Sequence, residues 1–79
     1  MLTMYTTTWC GHCERLKRGL QAADIGFQEV NIEEDAVAAE LVMGVNGGNM
    51  TVPTIVFPDG ATLTNPALDQ VQAQLAKAG

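Results

Sequence analysis

The only two cysteines of this 79-residue chain stand three apart, in Trp9-Cys10-Gly11-His12-Cys13. They follow an apolar, strand-like run and precede a helix-like one, so they mark where a strand must hand over to a helix. A disulfide across so short a loop removes little chain entropy, about 2 kcal/mol. It does not staple a fold in the way that several longer-range bridges staple small secreted scaffolds. The core must therefore come from hydrophobic burial, and a chain of this size buries only about 60–65% of its unfolded surface. A hydrophobic fraction of 47% is ordinary for a single globular domain, here residues 1–79. The pair reads as chemistry rather than reinforcement, in a reducing compartment.

The rest of the chain alternates between the two periodicities of regular structure. Residues 2–6 read as a strand, and Thr7, Thr8 and Trp9 as a loop. Residues 11–23 read as a helix, with Cys13, Leu16, Leu20 and Ala23 on one face and Gly26 as its stop. Residues 27–32 alternate as a second strand. Glu33, Glu34 and Asp35 suit the positive end of a second helix, whose apolar residues Val37, Leu41 and Val45 are spaced by four. Asn46-Gly47-Gly48-Asn49 ends it. Residues 53–57 form a β-branched strand, Pro58-Asp59-Gly60 a turn, and residues 61–64 a return strand. Asn65 is placed to cap the last helix, with Pro66 as its first residue and Leu68, Val71, Leu75 and Ala78 as its apolar stripe. The order β-α-β-α-β-β-α predicts an α/β fold. Its first two strands run parallel, its last two form an antiparallel hairpin, and helices cover both faces of a four-stranded mixed sheet.

Several function classes are excluded at this level. The formal net charge of −5 opposes nucleic-acid binding. No run approaches the ~20 apolar residues of a membrane span. The start, Met1-Leu2-Thr3-Met4-Tyr5, lacks the basic and apolar regions of a signal peptide, so the expected location is the cytoplasm. Two cysteines and one histidine fall short of the four ligands of a one-chain zinc site, and no metal is assigned. Arg15, Lys17 and Arg18 crowd just after the cysteines, while Lys77 is the only other base. Two readings stand: a solvated helix face, or a local positive field that favours a thiolate and attracts an anionic thiol.

At the start of a helix, Cys10 faces unpaired backbone N–H groups and the positive end of the dipole, which stabilise an anionic sulfur. The thiolate is the attacking species in thiol–disulfide exchange. Cys13, one turn on, either resolves a mixed disulfide or donates a hydrogen bond to the thiolate, and is expected to be the more buried of the two. His12, between them and beside Gly11, either tunes the thiolate or is a solvent-facing spacer. Trp9 serves as an apolar wall for substrate or anchors the loop, and Tyr5 ends the first strand near the site. In Thr51-Val52-Pro53-Thr54, a cis Val52–Pro53 bond would turn the Val52 backbone N–H and C=O towards Cys10, where an extended peptide pairs with them as an added strand.

With these two motifs in this order of elements, the whole chain resembles the thioredoxin superfamily and, by length, its glutaredoxin branch. Within that branch it resembles the mycoredoxins, of bacteria that use mycothiol in place of glutathione. The residues that carry the resemblance are Tyr5-Thr6-Thr7, Trp9-Cys10-Gly11, Val45-Asn46-Gly47-Gly48-Asn49, Thr51-Val52-Pro53-Thr54, Asp59-Gly60 and Thr62-Leu63-Thr64-Asn65-Pro66. Glutathione-using members commonly carry a lysine before the first cysteine, where this chain has Thr6-Thr7-Thr8-Trp9. They also carry a Gly-Gly pair followed by an acid where it has Leu63-Thr64-Asn65-Pro66. Donor redoxins of ribonucleotide reductase typically carry a Ser-Gly-Phe-Arg-Pro-like segment there, which is also missing.

The resemblance implies a monomer with no bound cofactor and mycothiol as co-substrate. Cys10 would attack mycothiolated proteins at the mycothiol sulfur. A second mycothiol would release mycothiol disulfide, recycled by a separate NADPH-dependent mycothiol disulfide reductase. Cys13 is dispensable in that monothiol route and forms the Cys10–Cys13 bond in a dithiol one. Two alternatives stand beside it: a general redoxin reduced by glutathione or a thioredoxin reductase, and a module holding a metal or iron–sulfur cluster between two chains.

Overall fold

The computed structural model describes residues 1–78, with side chains to residue 77. The elements run β1 (Leu2–Thr6), α1 (Gly11–Ala22), β2 (Phe27–Asn31), α2 (Ala36–Val45), β3 (Thr54–Val56), β4 (Thr62–Thr64) and α3 (Leu68–Ala78). The strands form one mixed sheet in the order β2-β1-β3-β4. β1 pairs in parallel with β2, Leu2 opposite Phe27, and antiparallel with β3, Met4 opposite Ile55. β3 and β4 form the antiparallel hairpin, turned by Pro58-Asp59-Gly60 with Gly60 at φ +91° and the Asp59 carboxylate accepting from the Ala61 N–H. The predicted order and pairing therefore hold; β1 keeps its predicted bounds, and α1, β2, β3 and β4 each lose one residue at one or both ends.

Alternation along the central strand divides the core in two, because successive side chains of a strand point to opposite faces. Leu2 and Met4 meet Leu16 and Leu20 of α1, Ile55, Phe57 and Val71 of α3. Tyr5 and Val30 meet Ile32 together with Ala38 and Val42 of α2. Helices thus cover both faces of the sheet. Gly19 lets α1 and α3 approach closely, since a Cβ there would lie 3.2 Å from Leu68 Cδ2.

Four local expectations are corrected. First, α1 ends at Ala22, leaving Ala23 exposed as its cap rather than on the buried face. Asp24, not Gly26, takes the left-handed conformation (φ +59°) that turns the chain, and the Ile25 N–H closes the end on the Leu20 carbonyl at 2.9 Å. Second, Glu33 and Glu34 precede α2, which is capped by Asp35 through the Ala38 N–H at 3.1 Å. Third, α2 buries Ala38 and Val42, while Val37, Leu41 and Val45 face outward at 76%, 41% and 37% exposure. A helix composed almost wholly of apolar residues offers no contrast from which its buried face is read. Fourth, Asn65 does not cap α3. It adopts φ +52°, and the helix begins at Leu68 after the Gln70 side chain accepts from the Ala67 N–H at 2.8 Å. Ala78, assigned to the α3 stripe, lies outside the described side chains.

Burial on α2 is checked by a pair of substitutions. Val42→Ala should cost about 2 kcal/mol in urea unfolding and Leu41→Ala less than about 1 kcal/mol; equal costs would reverse the assignment of its buried face.

Candidate active site

β1 ends at Thr6, and three loop residues carry the chain to the start of α1. Two residues, the last of the neighbouring strand β2 and one just beyond it, hold that loop. The Glu33 carboxylate accepts from the Thr8 backbone N–H, and the Asn31 side chain donates to the Thr8 hydroxyl at 3.1 Å while accepting from the Glu33 N–H at 2.9 Å. The Thr8 N–H keeps the Glu33 carboxyl below the ordinary glutamate value of 4.5. Trp9 follows this latch and stands 92% exposed.

Cys10 is the N-cap of α1. Its backbone is extended (φ −119°, ψ 101°), and its sulfur accepts from the Cys13 N–H at 3.1 Å. The Cys10 sulfur thus takes the place of the serine or aspartate oxygen that usually satisfies this N–H. Cys10 and Cys13 are joined as a disulfide with their Cα atoms 5.2 Å apart. Cys10 is partly exposed, whereas Cys13 is 3% exposed and belongs to the buried face of α1. A bulky disulfide therefore meets Cys10 first, and Cys13 reaches it only from within.

The remaining predicted residues separate into neighbours of this sulfur and supports of it. Cys10, Gly11 and Trp9 line one open cavity of about 320 Å³ with Thr8 and Glu14. Trp9 also walls a second cavity of about 600 Å³ with Thr7, Ile32, Glu33 and Met50. His12 turns to the β4–α3 connection, where its Nε2 donates to the Pro66 carbonyl at 2.9 Å, which sets the ring tautomer. Tyr5 and Val52 both pack against the Ile32, Ala38 and Val42 cluster on the α2 side of the sheet. The Val52–Pro53 bond is cis, and the Val52 backbone N–H and C=O have no intramolecular partner among the described residues. The Thr51 carbonyl accepts from the buried Thr54 hydroxyl at 2.8 Å.

Three contributors went unread in the sequence. Asn65 and Pro66 form a strut: the Asn65 N–H donates to the Pro53 carbonyl at 2.7 Å, while Pro66, fully buried, receives His12. The cysteine turn and the proline segment are thereby tied to the same dipeptide. Asn46 is the third. Its amide donates to the Val42 carbonyl and the Thr54 hydroxyl, and its oxygen accepts from the Thr64 hydroxyl at 2.6 Å. Asparagine tolerates positive φ, which is the available signal for Asn65. Asn46 sits in a glycine-rich break where its side-chain partners, 8 and 18 residues away, leave no local trace.

Two measurements follow from this geometry. Reduced Cys10 should titrate below the free-cysteine value of about 8.5 by thiolate absorbance, because the Cys13 N–H and the α1 dipole favour the anion; a midpoint at that value would remove both contributions. The Glu33–Thr8 latch, whose acid has a lowered folded pKa, should be fully made above the ordinary glutamate range and open as pH falls through the folded value. The protection of the Thr8 amide, its exchange rate relative to the intrinsic rate at each pH, should fall there in the wild type, and Glu33→Gln should remove that change in protection.

Comparison with known proteins accords with this architecture. The glutaredoxin family profile matches residues 2–61. The chain is 59% identical over 76 residues to a protein of Mycobacterium tuberculosis described as a glutaredoxin, covering 96% of this chain and 90% of that one. It is 36% identical over 74 residues to Mycoredoxin 1 of Corynebacterium glutamicum, covering 94% and 91%. The glutaredoxin-like NrdH-redoxin of Escherichia coli superposes with a TM-score of 0.76 at 22% identity, covering 91% of each chain, which speaks to the fold. A capping cysteine with a buried partner one turn on, carried on this sheet and matched along most of the chain, places it in the glutaredoxin family, as a mycoredoxin-like thiol–disulfide oxidoreductase.

Proposed function

We propose that this protein reduces protein–mycothiol mixed disulfides through Cys10. The observation that carries the reading is the asymmetry of the pair: Cys10 is partly exposed and held by a backbone N–H, while Cys13 is buried. The Cys10 thiolate attacks the mycothiol sulfur, and the target's thiol leaves with a proton. A second mycothiol thiolate then attacks the Cys10-bound sulfur and releases mycothiol disulfide, which a separate reductase returns to thiol at the expense of NADPH. Similarity to Mycoredoxin 1 supports mycothiol as the co-substrate. So do the departures from glutathione-using members, which commonly carry a lysine before the first cysteine where this chain has Thr6-Thr7-Thr8-Trp9. On this reading the protein acts in the cytoplasm, as a monomer and without a bound cofactor, partnered by mycothiolated proteins and the reductase.

The Cys10–Cys13 disulfide favours a second route, in which Cys13 displaces the small thiol and the protein works as a dithiol redoxin. The routes separate in a coupled assay with a mycothiolated substrate, mycothiol, its reductase and NADPH. Cys10→Ser should abolish NADPH consumption and Cys13→Ser should retain most of it. Loss in both variants would assign the dithiol route, and equal turnover in a matched glutathione system would remove the mycothiol specificity.

A further inference from the structure

Three of the chain's four cations, Arg15, Lys17 and Arg18, lie within four positions of α1, whereas eight of its nine acids lie outside that helix. Lys17 is paired with Glu29 at 2.9 Å, the single ion pair among the described residues. Arg15 and Arg18 are exposed and have no carboxylate partner there. Residues spaced by three and four share a helix face, so Gly11, Arg15 and Arg18 form a stripe that starts next to Cys10, away from the buried Cys13, Leu16 and Leu20. The Arg15 guanidinium reaches back along it, since a Cβ at Gly11 would lie 3.7 Å from its Nη1. Trp9 walls the same cavity as Cys10 and Gly11, so an exposed aromatic and the Arg15 guanidinium lie close to the Cys10 sulfur, with Arg18 further along the same stripe. Glu14, on the same first turn, is the one carboxylate lining the Cys10 cavity.

We propose that the Gly11–Arg15–Arg18 face of α1 is a docking surface for an acidic segment of the protein whose disulfide Cys10 opens. Asp or Glu side chains flanking the partner's cysteine lie against the two guanidinium groups while its sulfur approaches Cys10. Charge complementarity of this kind speeds encounter and orients the partner, and salt screens it. In an otherwise acidic protein it also selects approach from the α1 side, because the remaining surface repels an acidic partner. The surface acts on the exchange step itself and is independent of which small thiol recycles Cys10.

The test uses disulfide-linked dimers of one short peptide with acidic, neutral or basic flanks, reduced by the full-length dithiol protein. Cys10 attacks one peptide sulfur and frees one peptide thiol. Cys13 then attacks Cys10 and frees the second, so one peptide disulfide is reduced as the protein disulfide forms. At low ionic strength the acidic dimer should react about tenfold faster than the basic one, and high salt should erase the difference. Arg15→Glu combined with Arg18→Glu should invert the order. Rates are taken relative to hydroxyethyl disulfide, a neutral substrate that reports the reactivity of Cys10 alone. Lys77→Glu, which changes the net charge far along α3, should leave the preference in place. An acidic dimer no faster than the basic one, or a preference that survives the double charge reversal, would overturn the proposal.

Discussion

The sulfur on which the proposed chemistry rests is also the atom that caps the first helix. Because the Cys10 sulfur accepts the Cys13 N–H, the conditions that start α1 and those that stabilise a thiolate are one set of conditions. An oxygen in this position would cap equally well and do no exchange chemistry. The remaining site features serve to bring this helix start to a defined place. β1 delivers it from the centre of the sheet, with pairing partners on both sides and a packed core on both faces.

Two sets of polar contacts then hold the turn from opposite directions. On one side Asn31 and Glu33 fasten the loop before Trp9 to the end of the neighbouring strand. On the other, His12 fastens the first turn of α1 to Pro66, whose neighbour Asn65 holds the Pro53 carbonyl. A single net hydrogen bond is worth only about 0.5–1.5 kcal/mol. Several convergent ones restrict the turn more than any one does, leaving an exposed tryptophan and a half-exposed sulfur on a fixed support. Function here asks for exposure at Trp9 and Cys10, and rigidity comes from the residues around them.

Electrostatics divides the surface around the sulfur. Acids follow β2 at Glu33, Glu34 and Asp35, and free arginines line the outer face of α1, with Trp9 walling both cavities between them. A mixed disulfide has two dissimilar halves, a small thiol and a protein. A site with two dissimilar flanks presents a different surface to each half.

The chain's own letters determined the order of elements, the parallel and antiparallel pairings, the strand-to-helix position of the cysteines and the proline segment. These rest on local periodicity and on residue types with strong backbone preferences. The letters also placed Cys13 on the buried face, because Leu16 and Leu20 extend it at helical spacing. Only the tertiary structure decided that α2 buries Ala38 and Val42 and leaves Val37, Leu41 and Val45 outside, because apolar residues run almost all the way round that helix and the sheet selects one face. It alone turned His12 to Pro66, made Asn65 a left-handed tie instead of a cap, and assigned Glu33 to the Thr8 N–H. Each of these joins residues distant along the chain, 54 positions apart for His12 and Pro66. Such bonds depend on where packing brings two groups together, and short-range pattern carries no record of it.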